Sequence, residues 1–205
     1  MFLITTSLLN SWAYLFKVDG QYYEKSYEEF VAMLKKEPFE PNQYMLAGIA
    51  FEDKCIAGEV PGISNKITDG SYQYKGKVWK TIDGIEYLVY GKLDVLKAGI
   101  IYDIKLNTRY SVGKYFDSYQ HHIYMELVPE ASKFVYLIGV ENGMAKQDAT
   151  GDDYTIFEET YTRDECRPID DTIREFVKWL EVNKLLDVYH EKWTAYNEQT
   201  QEEKK

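Results

Sequence analysis

The 205-residue chain predicts a mixed α/β fold, a mostly antiparallel sheet flanked by helices. Three observations predict it. Helical spacing and capping signals fill the first third, the period changes to two from Tyr74 with a turn at Asp83-Gly84, and helical spacing returns on either side of the apolar run Phe134–Val140. Alternation between layers of this kind is the pattern of a sheet covered by helices. A chain of this length buries about 70% of its unfolded surface as one domain, and no internal repeat divides it, so residues 1–205 are expected to form a single domain.

The elements follow in order. Thr6–Phe16 reads as a helix. The capping box Ser26-x-x-Glu29 opens a second that runs to Lys36. Pro38 and Pro41 break the pattern, and a third helix follows Pro41-Asn42 and carries Glu52. Val78–Ile82, Ile85–Leu96 and Ile100–Leu106 make a three-stranded meander, whose first turn, Asp83-Gly84, is the strongest hairpin signal in the chain. A helix near Gly113–Leu127 is expected to face the core with Phe116, Ile123 and Leu127. Phe134–Val140 reads as a buried strand. Glu141–Asp153, rich in Gly, Asp and Thr, reads as a loop or short hairpin extension. Ile173, Phe176, Val177 and Leu180, then Leu185, Leu186, Val188, Tyr189 and Trp193, mark two C-terminal helices that pack on the core, an extension over about 168–199. The tail after Gln199 frays.

The second hairpin carries chemistry. If Ala98-Gly99 is the whole loop, Lys97 pairs with Ile100, Val95 with Tyr102, and Asp94 falls opposite Asp103. A four-residue loop keeps the two acids on one face, and Ala98 is a poor residue for positive φ, so both even lengths stand; a three-residue loop sends them to opposite faces. Opposed like charges about 5 Å apart are destabilising. A cation removes the conflict, and carboxylate oxygens at that separation suit Mg²⁺ or Mn²⁺. Lys105, two residues beyond Asp103, projects from the same face.

Gly91-x-x-Asp94, Asp103-Ile104-Lys105 and Gln120-x-x-x-Tyr124, in this order, resemble the motifs of the PD-(D/E)xK nuclease superfamily, in its RecB- and Cas4-like branch. Gly48-Ile-Ala-Phe-Glu52 is similar to the acidic version of that branch's upstream motif, as in phage-exonuclease-like members, and Thr6–Phe16 is similar to its serine-rich opening helix. The resemblance spans about residues 5–140 and implies a restriction-endonuclease-like core. It also implies that Asp94, Asp103 and the Ile104 carbonyl hold Mg²⁺ (or Mn²⁺), that Glu52 adds a ligand directly or through water, and that Lys105 orients the attacking water or stabilises developing charge. Gln120 and Tyr124 would contact the phosphate backbone and steady Lys105. Some relatives bind an iron–sulfur cluster through four cysteines, and with only Cys55 and Cys166 this chain can hold no such cluster.

Composition narrows the remaining classes. The two cysteines carry no nucleophile signature and argue for a reducing compartment, and the apolar N-terminus lacks a basic region and a cleavage site. A cytoplasmic protein without membrane attachment is expected. His121 and His122 diverge around a helix and His190 lies far along the chain, which argues against zinc. His121 is expected near the Tyr124 face in reach of substrate, and His122 at the surface. The net charge is −10, yet residues 66–115 hold 9 basic and 5 acidic side chains against 5 and 9 before them and 10 and 20 after. Lys92, Arg109 and Lys114 in that positive segment are candidates for phosphates. The expected partner is DNA, cut by a nuclease that the resemblance places in recombination, repair or phage DNA metabolism, with a recombination or single-strand-annealing protein as a possible associate. A catalytically silent nucleic-acid-binding module on the same fold, or an RNA endonuclease, are the alternatives.

Overall fold

The structure, a computed structural model, describes residues 1–141 and 153–195. The segment between Glu141 and Asp153, expected as a loop or hairpin extension, and the tail after Gln199 lie outside the described residues. In chain order the elements are β1 (Phe2–Thr5), α1 (Thr6–Tyr14), α2 (Gly20–Leu34), α3 (Gln43–Ile56), α4 (Pro61–Ile67), β2 (Ser71–Ile82), β3 (Ile85–Lys97), β4 (Ile100–Asn107), α5 (Tyr119–Leu127), β5 (Lys133–Glu141), β6 (Tyr154–Thr162), α6 (Asp170–Val182) and α7 (Leu186–Lys192). The strands pair in the order β1-β3-β4-β5-β6, with β2 also on β3. The sheet is mixed: β1/β3 and β4/β5 are parallel, β3/β4 and β5/β6 antiparallel. The parallel β4/β5 pair follows from α5, which carries the chain back between them. Helices flank the sheet, as the sequence predicts, and the meander β2-β3-β4 forms. Among the described residues no helix is long and apolar enough to cross a membrane.

The chain divides into two compact units. The first gathers Met1–Phe39, Gly76–Gly91 and the residues from Arg167 onward. Its core holds Leu3, Ile4, Leu8, Leu9, Phe30, Leu34, Phe176 and Tyr189, all below 1% exposed save Leu3 at 2%. The C-terminal helices are built into this unit by specific bonds, since the Tyr189 hydroxyl donates to the Leu3 carbonyl at 2.9 Å and the Trp193 indole N–H to Leu34 at 2.8 Å. Trp12 meets Phe176 edge-on at 5.5 Å, and Phe30 meets Trp179 at 5.4 Å.

The second unit, Glu40–Lys75 with Lys92–Cys166, carries every residue of the expected site. Asn42 caps α3 by accepting from the Tyr44 and Met45 amides, both at 3.0 Å. Phe51 and Cys55, one turn apart on α3, are buried with Ile63, Ile67, Val95, Val135 and Leu137. Gly139 lets α3 lie close on β5, because a Cβ there would fall 2.2 Å from the Phe51 ring. That close approach fixes the height of Glu52, the next residue along.

The decisive hairpin has the two-residue loop. Lys97 pairs with Ile100, Leu96 with Ile101 and Val95 with Tyr102. Ala98 and Gly99 both take positive φ, 49° and 74°, so Ala98 accepts the backbone that its side chain disfavours. Several features differ from expectation. β1, α4 and β6 were not foreseen, α2 begins at Gly20 so that Ser26 lies inside the helix instead of capping it, β2 begins at Ser71 instead of Val78, and the helix expected from Gly113 begins only at Tyr119, so Phe116 lies in a turn at 59% exposure instead of facing the core. Ala98→Gly relieves the left-handed strain without moving the register and stabilises the protein by about 0.5–1 kcal/mol in urea unfolding followed by fluorescence; an unchanged midpoint would show that the turn carries no strain.

Candidate functional site

Asp94 and Asp103 are the first residues beyond the three paired positions of β3 and β4, on one face as the loop length requires. The Ile104 N–H donates to Asp94 Oδ2 at 2.8 Å, so this carboxylate takes a strand amide. Asp103 is 1% exposed. Its Oδ1 accepts from the Gln120 side-chain amide, and Lys105 Nζ lies 2.6 Å from Oδ2. Lys105 itself keeps 31% of its side chain exposed, so the ion pair has one buried and one accessible partner. Ser118 caps α5 through the Gln120 N–H at 3.2 Å, which sets the first turn of the helix over Asp103. One turn on, the Tyr124 hydroxyl donates to the Lys92 carbonyl at 2.9 Å, two residues from Asp94.

Glu52 is half-buried and its Oε1 accepts from the Gln73 side-chain amide. Burial, then the neighbouring Asp94 and Asp53 charges, push its pKa up to about 7. Burial also raises Asp94, against the pull of Lys105, the Ile104 N–H and Lys92. Asp103 rises too, burial and the acids outweighing Lys105. For Lys105 burial disfavours the charge, but Asp103 and Asp94 outweigh it and hold the ammonium protonated. Three carboxylates share one partly exposed ammonium, and burial is the common cause of their raised values, with neighbouring acids adding to it at Glu52 and Asp103.

Among the described residues, no three His, Cys, Asp or Glu side chains converge as a ready-made ligand set. Gln120 donates to Asp103 Oδ1, while the buried Oδ2 lies in an ion pair with Lys105 but accepts no hydrogen bond, and Gln73 takes one oxygen of Glu52. Glu52 is thus coupled to Asp94 through its charge while being hydrogen-bonded elsewhere. The pair Asp94 and Asp103 supplies the one or two carboxylates that Mg²⁺ ordinarily uses while it keeps its waters, so the donor chemistry fits such an ion.

The other expected residues fall in different places. Lys92, Arg109 and Lys114 are exposed, as side chains that meet phosphates must be. His121 is not: it is 1% exposed, stacked on Tyr161 at 3.9 Å, with Nδ1 3.2 Å from the Tyr136 hydroxyl. Packing of α5 against β5 and β6 takes it out of reach of substrate. His122 is buried as well, at 9%, because the helix presents both rings inward. Ile104 is buried at 7%, its N–H spent on Asp94.

Sequence reasoning missed Gln73, Tyr115 and Glu159. Gln73 sits inside β2 at φ 53°, a left-handed backbone in a non-glycine residue. Tyr115 stacks on Tyr136 at 4.4 Å and exchanges hydrogen bonds with Asn107 at 2.8 and 3.2 Å. Glu159, on the unforeseen β6, is 9% exposed and accepts from Tyr110, Tyr161 and the Tyr115 amide. A Gln one residue after a Tyr in an exposed strand carries no signal by itself, and neither does a Glu-Glu pair in a polar run.

No protein-family model and no curated protein matches the chain. Among solved structures, a proposed exonuclease from Eubacterium rectale aligns over 94% of this chain and 83% of its own, at 13% identity and a TM-score of 0.53. SSO0001 aligns over 87% and 74% at 15% identity, with a TM-score of 0.48. LHK-Exo, crystallised in complex with dAMP, aligns over 92% and 86% at 14%, with a TM-score of 0.45. At these identities the likeness is one of fold, and it rests on the first of the three.

A raised carboxylate gives stability below its ordinary pKa that is lost as pH rises through the folded value. For Glu52 the window runs from about 4.5 to about 7. Glu52→Gln, which keeps an acceptor for Gln73 and removes the charge, raises the Tm of the metal-free protein by a few degrees at pH 8 and leaves it unchanged at pH 4. Equal shifts at both pH values would mean that Glu52 does not titrate in this window.

Proposed function

We propose that the chain is a metal-dependent nuclease that hydrolyses DNA phosphodiester bonds, of the PD-(D/E)xK type and RecB-like branch that its motifs resemble. The observation that carries this reading is the cluster on one sheet face: Asp94 and Asp103 from neighbouring strands, the Lys105 ammonium 2.6 Å from Asp103, and Gln120 from α5 on the same carboxylate. The fold shared with a proposed exonuclease adds support. Asp94 and Asp103, with the Ile104 carbonyl and Glu52 as further donors, would hold Mg²⁺ or Mn²⁺. Such an ion, when bound, lowers the pKa of a coordinated water and polarises the phosphate.

The chain's own groups do the rest. Lys105, protonated and partly exposed, places positive charge where the phosphorane-like oxygens develop theirs. Gln120 holds Asp103 in orientation. Tyr124 fastens α5 to the strand carrying Asp94, and its burial at 6% makes it a brace for the site, with phosphate contact left to exposed Lys92, Arg109 and Lys114. The global charge of −10 predicts modest, salt-sensitive binding. An exonuclease acting in recombination, repair or phage DNA metabolism, in the cytoplasm and beside a single-strand-annealing protein, is the setting the resemblance suggests.

Incubation with linear, nicked and closed-circular DNA tests this reading. Wild type with Mg²⁺ degrades linear DNA and is silent in chelator, while Lys105→Ala and Asp103→Asn each cut at least about 10²-fold more slowly with unchanged circular dichroism. Cleavage by either variant at the wild-type rate sinks the assignment. DNA binding without any Mg²⁺-dependent cleavage would favour a silent module, and faster cleavage of a matched RNA an RNA endonuclease.

A further inference from the structure

The segment between β4 and α5 is short of regular structure and rich in anchors. Tyr110 donates to Glu159 Oε2 at 2.8 Å, the Tyr115 amide to Glu159 Oε1 at 3.1 Å, and Tyr161 completes the grip on the same carboxylate. Tyr115 is held from its other end by Asn107, two residues past Lys105, and by its stack on Tyr136. Tyr110 packs on Phe157 at 5.0 Å. The loop closes at Ser118, the cap of the helix that brings Gln120 to Asp103. A buried carboxylate with three donors is a strut, and it fixes a loop that has no regular secondary structure to fix it.

What the strut presents is unlike a loop that only connects. Phe116 is 59% exposed and Val112 93%, with Arg109 and Lys114 exposed beside them and Asp117 the loop's one acid. An open aromatic ring on a loop that also carries two exposed cations, Lys114 lying over the adjacent Tyr115 ring at 5.7 Å, matches the two faces of a polynucleotide, base and phosphate, and the ring recognises any base because every base has a π-face. Duplex DNA keeps its bases stacked on each other, so a ring at this position has a partner only where a base is unpaired.

We propose that the loop from Thr108 to Ser118 is a platform for an unpaired nucleotide of single-stranded nucleic acid, with Phe116 as the stacking ring, Arg109 and Lys114 as phosphate contacts and Glu159 as the positioning residue that holds the loop beside Lys105. This rests on the nuclease reading only for its location; binding itself needs no catalysis. It assigns the strand that enters the site as single, which the motifs leave open.

Fluorescence anisotropy of the full chain with a labelled oligonucleotide of about 12 nucleotides, in chelator so that nothing is cut, tests it. Wild type binds the single strand more tightly than the matched duplex. Phe116→Ala weakens binding about 5- to 150-fold, the equivalent of one lost stack, and Phe116→Trp restores it. Glu159→Gln weakens binding with unchanged circular dichroism, and should it fail to fold, the Phe116 pair still decides. Equal binding by Phe116→Ala, no rescue by Trp, preference for duplex, or no binding by wild type each overturns the platform. Self-association of wild type that Phe116→Ala abolishes, without an effect on the oligonucleotide, assigns the loop to a second copy and overturns it too. Normal cleavage with Phe116-independent binding sinks the platform and leaves the nuclease standing; the opposite pattern does the reverse.

Discussion

Burial of the Asp103 carboxylate is the constraint on which the candidate site depends. At 1% exposure an ionised carboxylate is strongly unfavourable unless each oxygen is paired. Pairing Oδ2 requires a cation on the same face of the same strand, which the two-residue period of β4 supplies as Lys105. Pairing Oδ1 requires a donor from outside the sheet, which is why α5 must start where Ser118 caps it, one residue from Tyr119 and two from Gln120. Tyr124 then closes the arrangement by bonding to Lys92, so a single buried charge fixes the mutual placement of β3, β4 and α5.

The same constraint leaves an electrostatic conflict unresolved. Burial raises Asp94 and Glu52 despite the opposing pull of Lys105 and Lys92, and for Glu52 the Asp94 and Asp53 charges add to the rise. A fold selected for stability alone removes such a conflict with neutral side chains. Its persistence beside exposed Lys92 fits the proposed binding of a dication and a polyanion.

How much of this the sequence carries depends on the range over which each feature is determined. The hairpin was legible because its register follows from counting residues between Asp94 and Asp103, and the only open point, the conformation of Ala98, is settled by a φ of 49°. The face shared by Asp103 and Lys105 is a local consequence of strand geometry. His121 was misplaced because its burial comes from Tyr161 and Tyr136, residues 40 and 15 positions on, in strands whose pairing is not local. β6 escaped for a related reason: Thr155, Glu158 and Thr160 make it read as polar, and only the pairing with β5 buries Tyr154 on one face and Glu159 and Tyr161 on the other. Phe116 was given to the core because helical periodicity was extended upstream of the Ser118 cap, where Gly113 at φ 81° ends any such continuation.

Gln73 shows where local rules and function part. Its left-handed backbone inside β2 costs about 1–2 kcal/mol that glycine would not incur. Its side chain spends that strain on one contact, the amide on Glu52 Oε1. That contact in turn holds a carboxylate already disfavoured by burial and by Asp94. Glycine at 73 and glutamine at 52 would relieve both costs together, with no loss to the apolar packing around Phe51 and Cys55. Two unfavourable terms thus converge on one side-chain oxygen. On the proposed metal-binding reading they would keep Glu52 ionisable and held in one direction, as a donor to a cation beside Asp94 would need.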